Sequence, residues 1–166
     1  MADGNLVKTL RFLIEAEIQF VVVGGVAAVL NGAPVDTLDF DLVYSLEPLN
    51  IQRLVAALDR IDAIFRIQPE RHLRPDHSHL VKAGHLKLLT RFGPIGLLGS
   101  IGHGLGYSRL VPESREMELG GDVRVPVLNL ETIIKSKEQI GAEKDRAVLS
   151  ILRQTLAEQK KSPGSP

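Results

Sequence analysis

The chain has 166 residues, 44% hydrophobic and 24% charged, with 20 basic side chains balanced by 20 acidic ones. That length suits one domain able to bury about two-thirds of its unfolded surface, and zero net charge argues against a broad non-specific grip on nucleic acid. The lack of cysteine excludes disulfides and thiolate metal sites. The start shows no basic-then-apolar signal pattern, and no apolar run nears the ~20 residues a bilayer crossing needs, so a cytoplasmic setting with no membrane partner is expected.

Taken in order, Leu6, Leu10, Leu13 and Ile14 recur at helical spacing, with Lys8, Arg11 and Glu15 opposite, and predict a first helix that packs on a sheet. The β-branched run Phe20-Val21-Val22-Val23 then stops at Gly24-Gly25 and continues into an Ala- and Leu-rich stretch. This reads as a buried strand, a tight turn and a short helix from Gly25 to Leu30, ended near Asn31-Gly32 and stopped by Pro34. Backbone amides at the start of that helix are free to hold an anion, although a glycine pair also serves plain close packing. The next strand, Thr37-Leu38-Asp39-Phe40-Asp41-Leu42-Val43, places both aspartates on one face and Phe40 and Leu42 on the other. Two carboxylates ~4 Å apart repel by ~4 kcal/mol at an effective dielectric near 20, so a partly buried pair calls for a cation or a shifted pKa. On an exposed strand the same pair is surface decoration. Pro48 opens a further helix, with Ile51, Leu54, Val55, Leu58 and Ile61 on one stripe.

From Gln68 to Ser78 the polar sequence, with two prolines, predicts a loop beside the site entrance. His72, His77 and His79 there read as exposed loop histidines, with a metal pair or a substrate contact as the alternatives. A hairpin follows, Leu86–Thr90 and Ile95–Leu98 joined through Arg91-Phe92-Gly93-Pro94. The glycine-rich stretch from Ser100 to Leu110 lacks the context of a phosphate loop and reads as a plain connector, with a flexible active-site flap as the alternative. A second hairpin turns at Gly120-Gly121, and Pro126 puts its outgoing strand at an edge. Asn129 caps a helix carrying Leu130, Ile133, Ile134 and Lys137, which Gly141 ends. A last helix, from about Ala142 to Gln159, is expected to bury Val148, Ile151, Leu152 and Leu156, with Lys144 and Asp145 paired at its start. Residues 1–160 are read as one domain and 161–166 as a disordered tail.

Gly24-Gly25, a short helix, Gly32-Ala33-Pro34 and then Thr37-x-Asp39-x-Asp41 together resemble the nucleotidyltransferase fold family. Within it, the chain looks most like the minimal nucleotidyltransferases and the nucleotidyltransferase-like toxins of toxin–antitoxin systems. The motif core spans residues 20–44. Weaker likeness runs to about residue 150, including Leu130–Lys137 and Lys144-Asp145. The resemblance implies an α+β fold: a central mixed sheet flanked by helices, with a C-terminal helical segment. It also implies that Gly24 and Gly25 hold the triphosphate of a nucleotide and that Asp39 and Asp41 are catalytic and bind Mg²⁺ or Mn²⁺. The nucleotidyl group would pass to an acceptor hydroxyl on a protein, a tRNA end or a small molecule, and an antitoxin is the implied partner. Lys137 would reach the triphosphate, or else snorkel from the edge of its helix.

Two positions depart from the family pattern. In the segment Gly93-Pro94-Ile95-Gly96-Leu97-Leu98, glycine stands where relatives commonly carry a third carboxylate, and Val35 stands where they often carry arginine. Asp36 reads as a turn-forming aspartate ahead of the strand, with replacement of the missing carboxylate as the alternative. A catalytically impaired binding module is therefore the second reading.

Overall fold

The computed structural model describes residues 3–37 and 40–161. Helix α1 (Asp3–Glu15) buries Leu10 and Leu13 and leaves Ile14, expected on the same stripe, 37% exposed at its last turn. Strand β1 (Phe20–Val23) is buried along its whole length, as an unbroken apolar run requires, and passes directly into α2 (Gly24–Leu30). Strand β2 (Asp41–Tyr44) leads to α3 (Pro48–Arg60), where Pro48 sits in the first turn and Ile51, Leu54 and Leu58 face the core.

Strand β3 (Ile64–Phe65) and α4 (His77–Lys82) come next, followed by the hairpin of β4 (His85–Thr90) and β5 (Gly93–Leu98). A small second sheet, β6 (Ser100–Ile101) with β7 (Leu105–Gly106), precedes α5 (Tyr107–Leu110). The hairpin of β8 (Ser114–Glu118) and β9 (Arg124–Leu128) then leads into α6 (Leu130–Ile140) and α7 (Arg146–Lys161). The main sheet has seven strands in the order β3-β4-β5-β2-β1-β9-β8. It is mixed: β1 pairs parallel with β9, β2 pairs parallel with β5, and the other neighbours are antiparallel. No helix among the described residues is long and apolar enough to cross a membrane.

Several expectations are corrected. The stretch read as a loop up to Ser78 contains a 3-10 turn at Pro69–Arg71 and the start of α4. Asp76 caps α4: its carboxylate accepts from the Ser78 and His79 amides, while the Asp76 amide donates to His79 Nδ1 at 3.0 Å. The Ser78 hydroxyl and the His79 amide hold the Asp76 carboxyl below its ordinary range. The connector at 100–110 holds the small hairpin and α5. Strand β9, despite Pro126, lies inside the sheet between β1 and β8. Its parallel register with β1 is confined to Val22 and Val127, so a strand lacking one donor is accommodated there. Helix α7 begins at Arg146 after a 3-10 turn and buries Leu149, Leu152 and Thr155, while Val148, Ile151 and Leu156 are only partly covered. Lys161 ends that helix, and 162–166, the rest of the expected tail, lie outside the described residues.

Two buried asparagines tie the layers together. Asn50 accepts from the Gln19 amide at 2.7 Å and donates to the Gln19 and Ser45 carbonyls, which joins the start of β1 to the end of β2. Asn31 donates to the Ala27 and Leu128 carbonyls, fixing the end of α2 against the end of β9. Tyr44, fully buried, donates to the Leu80 carbonyl at 2.7 Å and so links β2 to α4.

Asn50→Ala leaves three backbone groups without this partner and is expected to cost more than about 2 kcal/mol in urea unfolding. Burial pushes the Tyr44 phenol up to about 12 from 10.0. Between these values the unfolded chain has released a proton that the native chain keeps, so this contribution is complete below pH 10 and is lost as pH rises towards 12. Unfolding midpoints should therefore fall more steeply across that window in the native chain than in Tyr44→Phe.

Candidate active site

At the end of β1 the chain turns through Gly24, whose φ of +66° suits glycine, directly into α2. Val23, the residue before this helix, offers it no side-chain cap. The two glycines are also demanded by what lies against them. A Cβ on Gly24 would stand 3.3 Å from Asp41 Oδ2, and one on Gly25 would run into Thr37, 2.7 Å from its Cβ. The carboxylate of Asp41 therefore lies against the glycine corner.

Asp41 owes that place to register. It pairs with Val23 on one side and Gly96 on the other, and Gly96 pairs in turn with Lys87. Residues abreast in neighbouring strands point to the same face, so Asp41, the Gly96 position and Lys87 form one row, with His85 two residues along β4 from Lys87. Phe40 and Leu42, in the opposite phase, are buried. Asp41 is 21% exposed, and His85 Nε2 approaches its Oδ1 to 3.6 Å. A Cβ on Gly96 would stand 3.0 Å from His85 Nε2 and 3.2 Å from Asp41 Cγ, so the glycine is the space in which the two side chains converge. Asp39, the other half of the expected carboxylate pair, lies outside the described residues.

Gly24, Gly25 and Asp41 open into one cleft of about 430 Å³. Its walls carry the carboxylates of Asp36, Asp41 and Asp145 and the basic groups of Arg66, His85, Lys87, Lys137 and Lys144. Lys137 reaches the cleft from α6 with its Nζ 3.2 Å from Asp145 Oδ1, both side chains mostly covered. Asp145 thus pairs with Lys137 rather than with its neighbour Lys144. Val35 and Asp36 also line the cleft. Arg66, which follows β3, donates to the Ile95 carbonyl at 3.2 Å.

The sequence did not single out Arg66, His85 or Lys87. Their only local signal is the alternation of His85 and Lys87 along β4, and pairing across the sheet brings them to the site. The histidines that did stand out are elsewhere: His79 caps α4 and packs edge-on to Phe65 at 4.8 Å, and neither His77 nor His79 lines the cleft. Among the described residues no group of three or more His, Asp or Glu side chains could hold a metal by itself. The donors present suit a different kind of site. One carboxylate with an imidazole nitrogen 3.6 Å away, brought together over Gly96, fits a divalent ion that takes further ligands from water and phosphate.

No family model and no curated protein matches the chain. Among solved structures it is similar to a protein of Thermotoga maritima described as a candidate nucleotidyltransferase. The two share 18% identity over 92% of this chain and 91% of that one, with a TM-score of 0.56. At that identity the likeness shows the fold: this chain has a nucleotidyltransferase-like architecture, a mixed sheet flanked by helices and closed by a C-terminal helix.

Proposed function

We propose that the cleft binds a nucleoside triphosphate with Mg²⁺ or Mn²⁺ and transfers its nucleotidyl group to an acceptor hydroxyl. The observation that carries this reading is the shared cleft: Gly24 and Gly25 at the start of α2 and the carboxylate of Asp41 line the same space, with five basic side chains around it. Amides at Gly24 and Gly25 would donate to phosphate oxygens, and Lys144 and the Asp145-paired Lys137 would face the same anion from the opposite wall. Asp41 would hold the divalent ion, with Asp39 joining it as the family resemblance implies. Such an ion, when bound, offsets charge on the phosphoryl oxygens. In the transfer itself the acceptor oxygen bonds to the α-phosphorus, the bond to the β-phosphate bridging oxygen breaks, pyrophosphate leaves and the hydroxyl proton passes to solvent or base.

One observation favours a second reading, a nucleotide-binding module with impaired chemistry. Gly96 lies directly abreast of Asp41, at the place where the resemblance expects a third carboxylate.

Two measurements separate these. In titrations of a labelled, non-hydrolysable triphosphate, Mg²⁺ should raise affinity for the native chain, and Asp41→Ala should remove at least about a tenfold share of that gain. Binding that is indifferent both to metal and to this substitution would end the active-site assignment. Incubation with α-labelled triphosphate and cell extract should then yield a labelled acceptor and free pyrophosphate. Metal-dependent binding with no label transferred would select the module.

A further inference from the structure

The pairing of His85 with Asp41 is not explained by the fold. Neither side chain is fully buried, with 40% and 21% of their surfaces exposed, and their 3.6 Å separation is too long for a hydrogen bond. It is, however, the span two ligands take on one ion. Nitrogen and oxygen donors at ~2.1 Å from a tetrahedral metal stand ~3.4 Å apart. The lack of a side chain at Gly96 is what lets them approach, since a Cβ there would overlap the Asp41 carboxylate and stand 3.0 Å from the imidazole nitrogen. Both residues line the cleft.

We propose that His85 Nε2 joins Asp41 Oδ1 as a ligand of the cleft's divalent cation, so that the site selects an imidazole-accepting ion such as Co²⁺ or Zn²⁺ over Mg²⁺. This rests on the reading of the cleft as a cation and nucleotide site and changes what that site prefers. Imidazole nitrogen suits first-row transition ions, whereas Mg²⁺ takes oxygen ligands and holds its water. An oxygen-only carboxylate set favours transition ions less strongly than an Asp–His pair does. With Asp39 joining as the family resemblance implies, the remaining positions fall to water and phosphate oxygens, so the ion binds most tightly with nucleotide present. His85 is thereby a ligand supplied by β4 across the notch left by Gly96, on the side of Asp41 away from the glycine corner.

The test uses the full chain with a non-hydrolysable triphosphate and compares Co²⁺ with Mg²⁺ by calorimetry, together with the Co²⁺ visible spectrum and the histidine ring NMR signals. His85→Ala should weaken Co²⁺ binding by at least about tenfold while moving Mg²⁺ binding much less, because only the transition ion gains from imidazole. His85→Asn, which keeps a polar side chain, should behave as the alanine variant does. Co²⁺ should broaden or shift the ring signal that His85→Ala deletes, and leave those of His77 and His79 in place. An unmoved His85 ring, or an equal loss of both ions in the variants, would overturn the ligand role. In that case Mg²⁺-dependent nucleotide binding that persists and is lost in Asp41→Ala would leave the nucleotide reading standing. Absence of that dependence as well would remove both.

Discussion

The position of Asp41 depends on two strand pairings with different demands. Antiparallel pairing with β1 sets Asp41 opposite Val23, one residue before the chain turns at Gly24. Parallel pairing with β5 sets it beside Gly96, and that geometry requires a long crossover, which the chain makes through α3, β3, α4 and β4. Because side chains alternate along a strand, slipping either pairing by one residue would bury the carboxylate and push Leu42 into the cleft. The apolar demand of β2, with Leu42, Val43 and Tyr44 almost wholly buried, therefore holds the one charged residue of that strand at the mouth of the site. The asparagines at positions 31 and 50 support this placement from outside, one at the end of α2 and the other where β1 begins and β2 ends.

Much of this was legible in the residues. Phe20–Val23, the hairpin of β4 and β5, the stripe on α3 and the Asn129 cap of α6 follow from period and local turn chemistry, and each is found where those rules put it. Helix α4 escaped notice because its six residues, held by a reciprocal Asp76–His79 cap, include only Leu80 and Val81 as apolar side chains, too few for a stripe to read. Pro126 misled because a proline's tolerance in a strand depends on how much pairing its neighbour offers, and that is a property of the assembled sheet. On α7 Leu152 is buried as its spacing predicts, but Leu149 turns to the core where Val148 was expected, and Val148 lines the cleft.

The site was legible in part for the same physical reason. Its glycine corner and Asp41 belong to contiguous stretches whose spacing carries a recognisable pattern. The basic side of the cleft does not. Arg66 follows β3, and His85 and Lys87 lie on β4, at one side of the sheet, while Lys137, Lys144 and Asp145 come from the helical turns that follow its last hairpin. Only the register across β4, β5 and β2 places an imidazole beside a carboxylate with a glycine between them. The glycine read in the sequence as a missing acid is in the fold the room that lets His85 reach Asp41.

Diffraction at the manganese absorption edge, from crystals grown with a non-hydrolysable nucleoside triphosphate and Mn²⁺, tests most directly whether the glycine corner and Asp41 serve one ligand. The expected result is an anomalous peak within ~2.5 Å of the Asp41 carboxylate, with phosphate oxygens on the amides of Gly24 and Gly25. A triphosphate lodged elsewhere on the molecule, or an ion that avoids Asp41 while nucleotide is bound, would contradict it.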